Sequence, residues 1–160
     1  VMGFSAGGHL AASLSTLYDH QDNEPLPLPY THSSRPDFTV LAYSLISLAD
    51  EVTHKGSRNE LLGDEADDGL LIKLLSTEQQ VTTNTPPSFI WAPKTDGVVP
   101  YENSILYAEA LKQAGVKYEL HIFPEGGHGS ALAQHEKQAK AWPDLMLKWL
   151  GEVGMHQPKS

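Results

Sequence analysis

The chain has 160 residues, 40% of them hydrophobic and 19% charged, which suits one globular domain with a core of its own. A formal charge of −9 argues against a nucleic-acid partner, which needs a basic patch to displace counterions from phosphates, and no apolar run approaches the roughly 20 residues that cross a bilayer. The absence of cysteine excludes disulfides, thiolate metal sites and a cysteine nucleophile; the compartment stays open, with the cytoplasm slightly preferred and a leader peptide not assessable.

The first element carries the most chemistry. Gly3-Phe4-Ser5-Ala6-Gly7 is a GxSxG pentapeptide that runs into a helix rich in small residues, from Ala6 to about Tyr18. This is the layout of a serine nucleophile on a strained strand-to-helix turn, with glycines expected two residues before and two after the serine because neighbouring chain crowds in there. The N–H of Ala6, at the positive end of the helix, is then an oxyanion donor. Read alone, the same letters also describe a glycine-rich turn capped by serine. Only Val1 and Met2 precede the motif, where a nucleophile strand needs several residues, so the sequence reads as the C-terminal part of a longer polypeptide.

Along the helix Leu10, Leu14 and Leu17 recur at helical spacing and predict burial, while Gly7, Gly8, Ala11 and Ala12 allow a close approach to a sheet. His20 to Asp37, with Pro25, Pro27, Pro29 and Pro36, predicts an irregular excursion. Phe38-Thr39-Val40-Leu41-Ala42-Tyr43 is a nearly continuous apolar run, which suits a parallel strand covered on both faces. Short helices are predicted near Arg58 to Leu62 and Gly69 to Leu75. Between them, Asp64-Glu65-Ala66-Asp67-Asp68 lacks the alternation of a calcium loop and reads as a solvated face. Ser88 to Ala92 is a second buried strand, and Tyr101 to Ala114 an amphipathic helix with Ile105, Ala108, Leu111 and Lys112 placed around it and Gly115 as its stop. Val116 to Phe123 is a third strand. Ala131 to Ala141 and Pro143 to about Val153 read as closing helices, with Pro143 in the first turn of the second. No hairpin signal interrupts this alternation, so crossover connections and a three-layer α/β fold with a doubly wound, mostly parallel sheet follow.

In such a sheet functional groups gather at the carboxyl ends of strands. Two glycine-punctuated loops follow predicted strands there, Lys94-Thr95-Asp96-Gly97-Val98-Val99-Pro100 and Pro124-Glu125-Gly126-Gly127-His128-Gly129. With Ser5 they give the chain order Ser, Asp, His, which is that of α/β-hydrolases and not of the chymotrypsin or subtilisin types. Asp50 and Glu51 follow the preceding strand and compete with Asp96 for the role of acid. Lys94, if close, helps to keep Asp96 charged. Of the eight histidines, His9 reads as a packed residue of the nucleophile helix and His121 lies within a strand. His20, His32, His54, His135 and His156 fall in loops, a surface helix or the tail, which leaves His128 as the base. No HExxH or other ligand-spaced cluster occurs, so no metal is expected. In the chemistry these residues suggest, His128 takes the Ser5 proton, Ser5 attacks an ester carbonyl, and water hydrolyses the acyl-enzyme.

Taken together, Gly3-Phe4-Ser5-Ala6-Gly7-Gly8-His9-Leu10-Ala11, Asp96-Gly97-Val98-Val99-Pro100, Glu102-Asn103-Ser104 and Phe123-Pro124-Glu125-Gly126-Gly127-His128-Gly129 resemble the acetylxylan-esterase-like and acetyl-esterase α/β-hydrolases. Pro36-Asp37, Thr53-His54-Lys55-Gly56-Ser57 and Leu61-Leu62-Gly63 resemble the connecting segments of the same group, so the similarity covers nearly the whole chain. The resemblance implies an α/β-hydrolase fold whose N-terminal strands lie outside the sequence, residues 1–160 being the C-terminal portion of a single domain. It implies a serine carboxylesterase that removes short acyl groups, often acetyl from sugars, with Ser5, Asp96 and His128 as triad and Ala6 in the oxyanion hole. The implied partner is a small-molecule ester, and no metal or organic cofactor is implied.

Two departures stand out. Such relatives carry a histidine and a second acidic residue just before the catalytic acid, where this chain has Ala92-Pro93-Lys94-Thr95. Their second oxyanion donor comes from an earlier loop, often of His-Gly-Gly type, which the sequence does not include. Two further readings share these signals: a prolyl-oligopeptidase-like serine peptidase, and a noncatalytic module that keeps the fold. Oligomeric state leaves no mark in the sequence.

Overall fold

Strand pairing follows the apolar runs. In the computed structural model, which describes residues 1–20 and 33–155, β1 (Met2–Phe4), β2 (Thr39–Ala42), β3 (Ser88–Pro93) and β4 (Tyr118–Phe123) form one sheet. Its order is β1-β2-β3-β4 and every neighbouring pair is parallel, with Gly3 opposite Leu41, Leu41 opposite Ile90 and Ile90 opposite Leu120. Most of the predicted excursion, including Pro25, Pro27 and Pro29, lies outside the described residues, as do His32 and His156.

Because side chains alternate along a strand, β2 and β3 feed two separate cores. Leu41 and Ile90 point to one face, where they meet Ala11 and Ala12 of α1 (Ala6–Leu17). Beyond α2 (Lys55–Leu62) and α3 (Gly69–Leu75) in the chain, α4 (Glu102–Gln113) adds Tyr107, Ala108 and Leu111 to that face. Val40, Ala42, Phe89 and Trp91 point to the other face, against Trp142, Trp149 and Leu150 of α5 (Trp142–Glu152). Every residue of β2 and β3 is buried, whereas β4, at the sheet edge, is half-buried throughout. Helices on both faces of a parallel sheet make the three layers the sequence predicts, and they leave the carboxyl ends of the strands free to carry a site.

Three details correct the sequence reading. In α1 the buried face is Gly8, His9, Ala11, Ala12, Ser15 and Thr16, whereas Leu10 is 72% exposed and Leu14 38%. Small residues win because the helix seats so near the sheet that Ser15 Oγ lies 2.6 Å from Thr39 Oγ1 of β2. In α4 the buried set is Asn103, Ser104, Tyr107, Ala108 and Leu111, with Ile105 only half-buried and Lys112 exposed.

The third correction concerns Ala131 to Ala141, which is not a helix but a chain of turns ending in a short 3₁₀ segment, Ala139–Ala141. Ala131 and Ala133 adopt left-handed φ values of 50° and 51°. Tertiary contacts override helix propensity here: the Tyr43 hydroxyl accepts from Ala131 N–H at 3.0 Å, and Trp142 Nε1 donates to Ala131 O at 3.1 Å. Both groups would otherwise be available to a helix. Elsewhere the predicted boundaries hold more closely. Gly115 stops α4 with φ 71°, its N–H donating to Lys112 O and that of Val116 to Leu111 O, so β4 begins at Tyr118 and not at Val116.

Candidate active site

Ser5 occupies the bend between β1 and α1 with φ 54°, a left-handed conformation that costs on the order of 1–3 kcal/mol for a residue with a side chain. Backbone bonds hold it there. Ser5 N–H donates to Ala42 O at 3.0 Å, while Ser5 O accepts from Gly8 N–H at 3.0 Å and from His9 and Leu45 N–H, each at 3.3 Å. The glycines that the bend requires are not quite the expected pair. A Cβ on Gly3 would lie 2.1 Å from Gly7 O, and one on Gly8 would lie 1.8 Å from Ser44 Oγ, yet one on Gly7 would meet nothing within 4 Å. Crowding therefore falls on Gly3 and Gly8, one residue beyond the pentapeptide, because the first turn of α1 passes over Ser44.

From this bend the sheet brings together the three residues singled out in the sequence. Ser5 Oγ lies 2.7 Å from His128 Nε2, and His128 Nδ1 lies 2.8 Å from Asp96 Oδ2. Asp96 follows β3 and His128 follows β4, so both project from carboxyl ends of strands beside the Ser5 bend. The Asp96 side chain is completely covered, and that of His128 is 17% exposed. The other carboxylate oxygen of Asp96, Oδ1, accepts from the N–H groups of Val98 at 2.8 Å and Val99 at 3.0 Å. A carboxylate that only accepts hydrogen bonds assigns the imidazole proton to Nδ1 and leaves the Nε2 lone pair facing the serine hydroxyl.

The acid and base loops are also tied to each other. Thr95 Oγ1 donates to Gly126 O at 3.0 Å and accepts from Gly126 N–H at 3.1 Å, and Gly127 N–H donates to Glu136 Oε1 at 3.1 Å. A Cβ on Gly126 would lie 2.8 Å from Pro93 Cβ. Pro93 and Thr95, which depart from the pattern of the resembling group, thus pack and hydrogen-bond directly against the histidine loop.

Lys94 does not serve Asp96 as expected. Its amine lies 6.0 Å from the Tyr101 ring centroid, and the partners of Asp96 are His128 and two backbone amides. Asp50 Oδ1 is engaged by Arg58 at 2.9 Å, and its side chain is 68% exposed. Asp68 caps α3 by accepting from Leu70 and Leu71 N–H, which gives one residue of the acidic run a local structural use. His9 is buried with Nε2 2.8 Å from Leu75 O, and burial holds its pKa below the ordinary imidazole value. Among the described residues no metal-binding group of three or more acidic or histidine side chains forms, and no helix is long and apolar enough to cross a membrane.

Two site residues were given no role in the sequence reading, although Asn103 falls in the Glu102-Asn103-Ser104 segment of the resemblance. Asn103 is wholly buried at the start of α4; its Oδ1 accepts from Ile46 and Ser47 N–H, and its Nδ2 donates to Val52 O and Pro100 O. It fastens the loop after β2 to the acid loop. Tyr43, the residue directly after β2, packs against the His128 ring; its place at a strand's carboxyl end was the available signal.

Ala6 N–H has no backbone acceptor among the described residues, as expected for the first amide of a helix. Beside it opens a cavity of about 600 Å³ lined by Ala6, His54, Gly56, Ser57, Glu60 and Leu61. Ser57 N–H donates to His54 Nδ1 at 3.2 Å, so the ring proton of neutral His54 is assigned to Nε2.

A three-layer parallel sheet that sets a serine bend, a histidine loop and an acid loop along one rim is the α/β-hydrolase fold, and solved structures of esterases superpose on it. The family model designated BD-FAE matches residues 1–111, and the chain belongs to that family. It is similar to an acetyl ester-xyloside bifunctional hydrolase from Caldicellulosiruptor lactoaceticus, at 45% identity and a TM-score of 0.90, covering 98% of this chain and 57% of that one. It is 42% identical over 138 residues to endo-1,4-beta-xylanase B of Butyrivibrio fibrisolvens, across 85% of this chain and 21% of the relative. It is 38% identical over 154 residues to the acetylxylan esterase of Xylanibacter ruminicola, across 94% and 29% respectively. The chain thus spans less than a third of either relative and just over half of the solved structure.

Proposed function

We propose that this chain carries the catalytic triad of a serine carboxylic-ester hydrolase that removes acetyl groups from carbohydrate. The observation that carries the reading is the continuous relay from Ser5 Oγ through His128 to Asp96, with both links under 3 Å. In this reading His128 Nε2 takes the hydroxyl proton as Ser5 attacks the ester carbonyl, and Asp96 stabilises the imidazolium that forms. Ala6 N–H stabilises the developing oxyanion. His128 then gives its proton to the departing alcohol, and water, activated by the same nitrogen, releases the acid and restores Ser5.

The carbohydrate part of the proposal draws on two supports. The relatives just described bear names that refer to xylan or xylosides. The cavity beside Ala6 is far larger than a methyl group and adds the polar edges of His54, Ser57 and Glu60 to the wall formed by Leu61 and Gly56. The test compares the full-length protein with its Ser5→Ala variant on 4-nitrophenyl acetate and on acetylated xylo-oligosaccharides. The expected result is a loss on the order of 10⁴-fold or more in kcat on both substrates. Equal rates in the two proteins would remove Ser5 from the mechanism, and cleavage of dipeptide amides in place of esters would favour the peptidase reading.

A further inference from the structure

The backbone leaves β2 through a bulky residue in an unfavourable conformation. Tyr43 has φ 39°, in the left-handed region that aromatic residues rarely occupy, yet it is 3% exposed and its N–H still donates to Trp91 O at 2.7 Å. Strain of this kind persists only where surrounding contacts over-determine it. Here the contacts converge on the histidine loop. The Tyr43 ring centroid lies 5.1 Å from that of His128 at 66°, and also 5.1 Å from Trp91 at 85°. Its hydroxyl accepts from the N–H of Ala131, three residues beyond His128, where φ is 50°. The carbonyl of the same residue is taken by Trp142 Nε1 at 3.1 Å.

We infer that Tyr43 is a positioning residue for His128, setting the imidazole through two separate grips: ring against ring, and hydroxyl to the backbone of Ala131. This rests on the reading of Ser5, His128 and Asp96 as an esterase triad. The two grips act on different parts of the loop. Packing against the imidazole limits its rotation away from Ser5, while the hydroxyl fixes the chain that would otherwise carry His128 outward. Asp96 holds Nδ1 from the opposite ring position, so it orients the imidazole without fixing the loop downstream of it. Burial also pushes the Tyr43 hydroxyl above its ordinary pKa. The contacts around Tyr43 hold it at φ 39°, and the position they give the base matters because a misplacement of about 1 Å can cost roughly 100-fold in rate.

The experiment uses the full-length protein with four forms: wild type, Ser5→Ala, Tyr43→Phe and Tyr43→Leu. Steady-state hydrolysis of 4-nitrophenyl acetate by the three forms that keep Ser5 is normalised to sites titrated to completion by a fluorophosphonate, so that unfolded protein does not count. Ser5→Ala, which has no site to titrate, is compared per mole of folded protein. Tyr43→Phe keeps the ring and loses the hydroxyl, and is expected to lower kcat per titrated site roughly tenfold with KM unchanged. Tyr43→Leu loses both grips and is expected to fall by a further factor of about ten, so that Phe in place of Leu gives partial rescue. Wild-type kcat per site in both Tyr43 variants, with Ser5→Ala inactive, would overturn the positioning role and leave the triad reading standing. Equal turnover by wild type and Ser5→Ala would overturn that reading itself, and this inference with it.

Discussion

His9 and His128 lie near opposite ends of the sequence and are held by their surroundings in opposite ways. His128 faces a carboxylate, with Nδ1 2.8 Å from Asp96 Oδ2. His9 faces the carbonyl of Leu75 in the packed layer between α1 and α3. Burial depresses its pKa; the Leu75 carbonyl and the charge of Glu78 pull the other way with less effect. A histidine with a depressed native pKa stays neutral in the fold while the unfolded chain takes up a proton below its ordinary value of about 6.5. Its contribution to stability is therefore complete above that pH and is lost as pH falls toward the native pKa. Urea denaturation at pH 7.5 and at pH 5 is expected to show an acid loss in the wild type that is smaller in His9→Gln, because glutamine keeps an N–H donor for Leu75 O and cannot titrate. An identical acid loss in both would assign the effect to other groups.

At the scale of elements, α1 and the bend before it show both what a sequence makes plain and what it hides. Ser5, Asp96 and His128 were legible because each sits in a glycine-marked turn after an apolar strand, and local chemistry of that kind is written in adjacent letters. The seating of α1 was not. Leu10 and Leu14 gave the strongest helical periodicity, but the face that meets the sheet is chosen by closeness of approach, which depends on Ser44 and Thr39 in a distant part of the chain. The turns at Ala131 to Ala141 were hidden for the same reason, since the Tyr43 hydroxyl that takes the Ala131 N–H lies 88 residues away, and the Trp142 side chain reaches back over the segment to Ala131 O only in the folded chain. The bend supplies a direct check on which glycine matters. Gly8→Ala is expected to cost about 3 kcal/mol by overpacking Ser44. Gly7→Ala is expected to be neutral or to stabilise by about 0.5–1 kcal/mol, because alanine is the better helix former and its methyl meets nothing. Chemical denaturation of the two variants reads the difference, and equal costs would mean that Gly7 is crowded after all.

Over the whole molecule the sheet is a single layer shared by two unlike cores. One face is aromatic and holds all three tryptophans, with Trp91 stacked on Trp142 at 5.4 Å and Trp149 packed on Phe89 at 5.9 Å. The other is mainly aliphatic, with Ala11, Ala12, Ile46 and Leu111 packed around a single wholly buried aromatic residue, Tyr107. Adjacent residues of the same strands serve the two sides: Leu41 and Ile90 one, Val40, Ala42, Phe89 and Trp91 the other. Because both cores are built on those strands, damage to the aliphatic side is expected to reach the chromophores on the other face. Leu111→Ala removes a wholly buried side chain and is expected to cost about 2–5 kcal/mol, the range for such a truncation with its residual cavity. The denaturation midpoint of the variant, followed by tryptophan emission from the opposite face and by far-UV circular dichroism, is expected to fall by the same amount with both probes. A tryptophan transition that keeps its wild-type midpoint while the dichroism shifts would show two layers that fold independently, and would detach the aromatic face carrying Tyr43 and Trp142 from the helix layer that begins at Ser5.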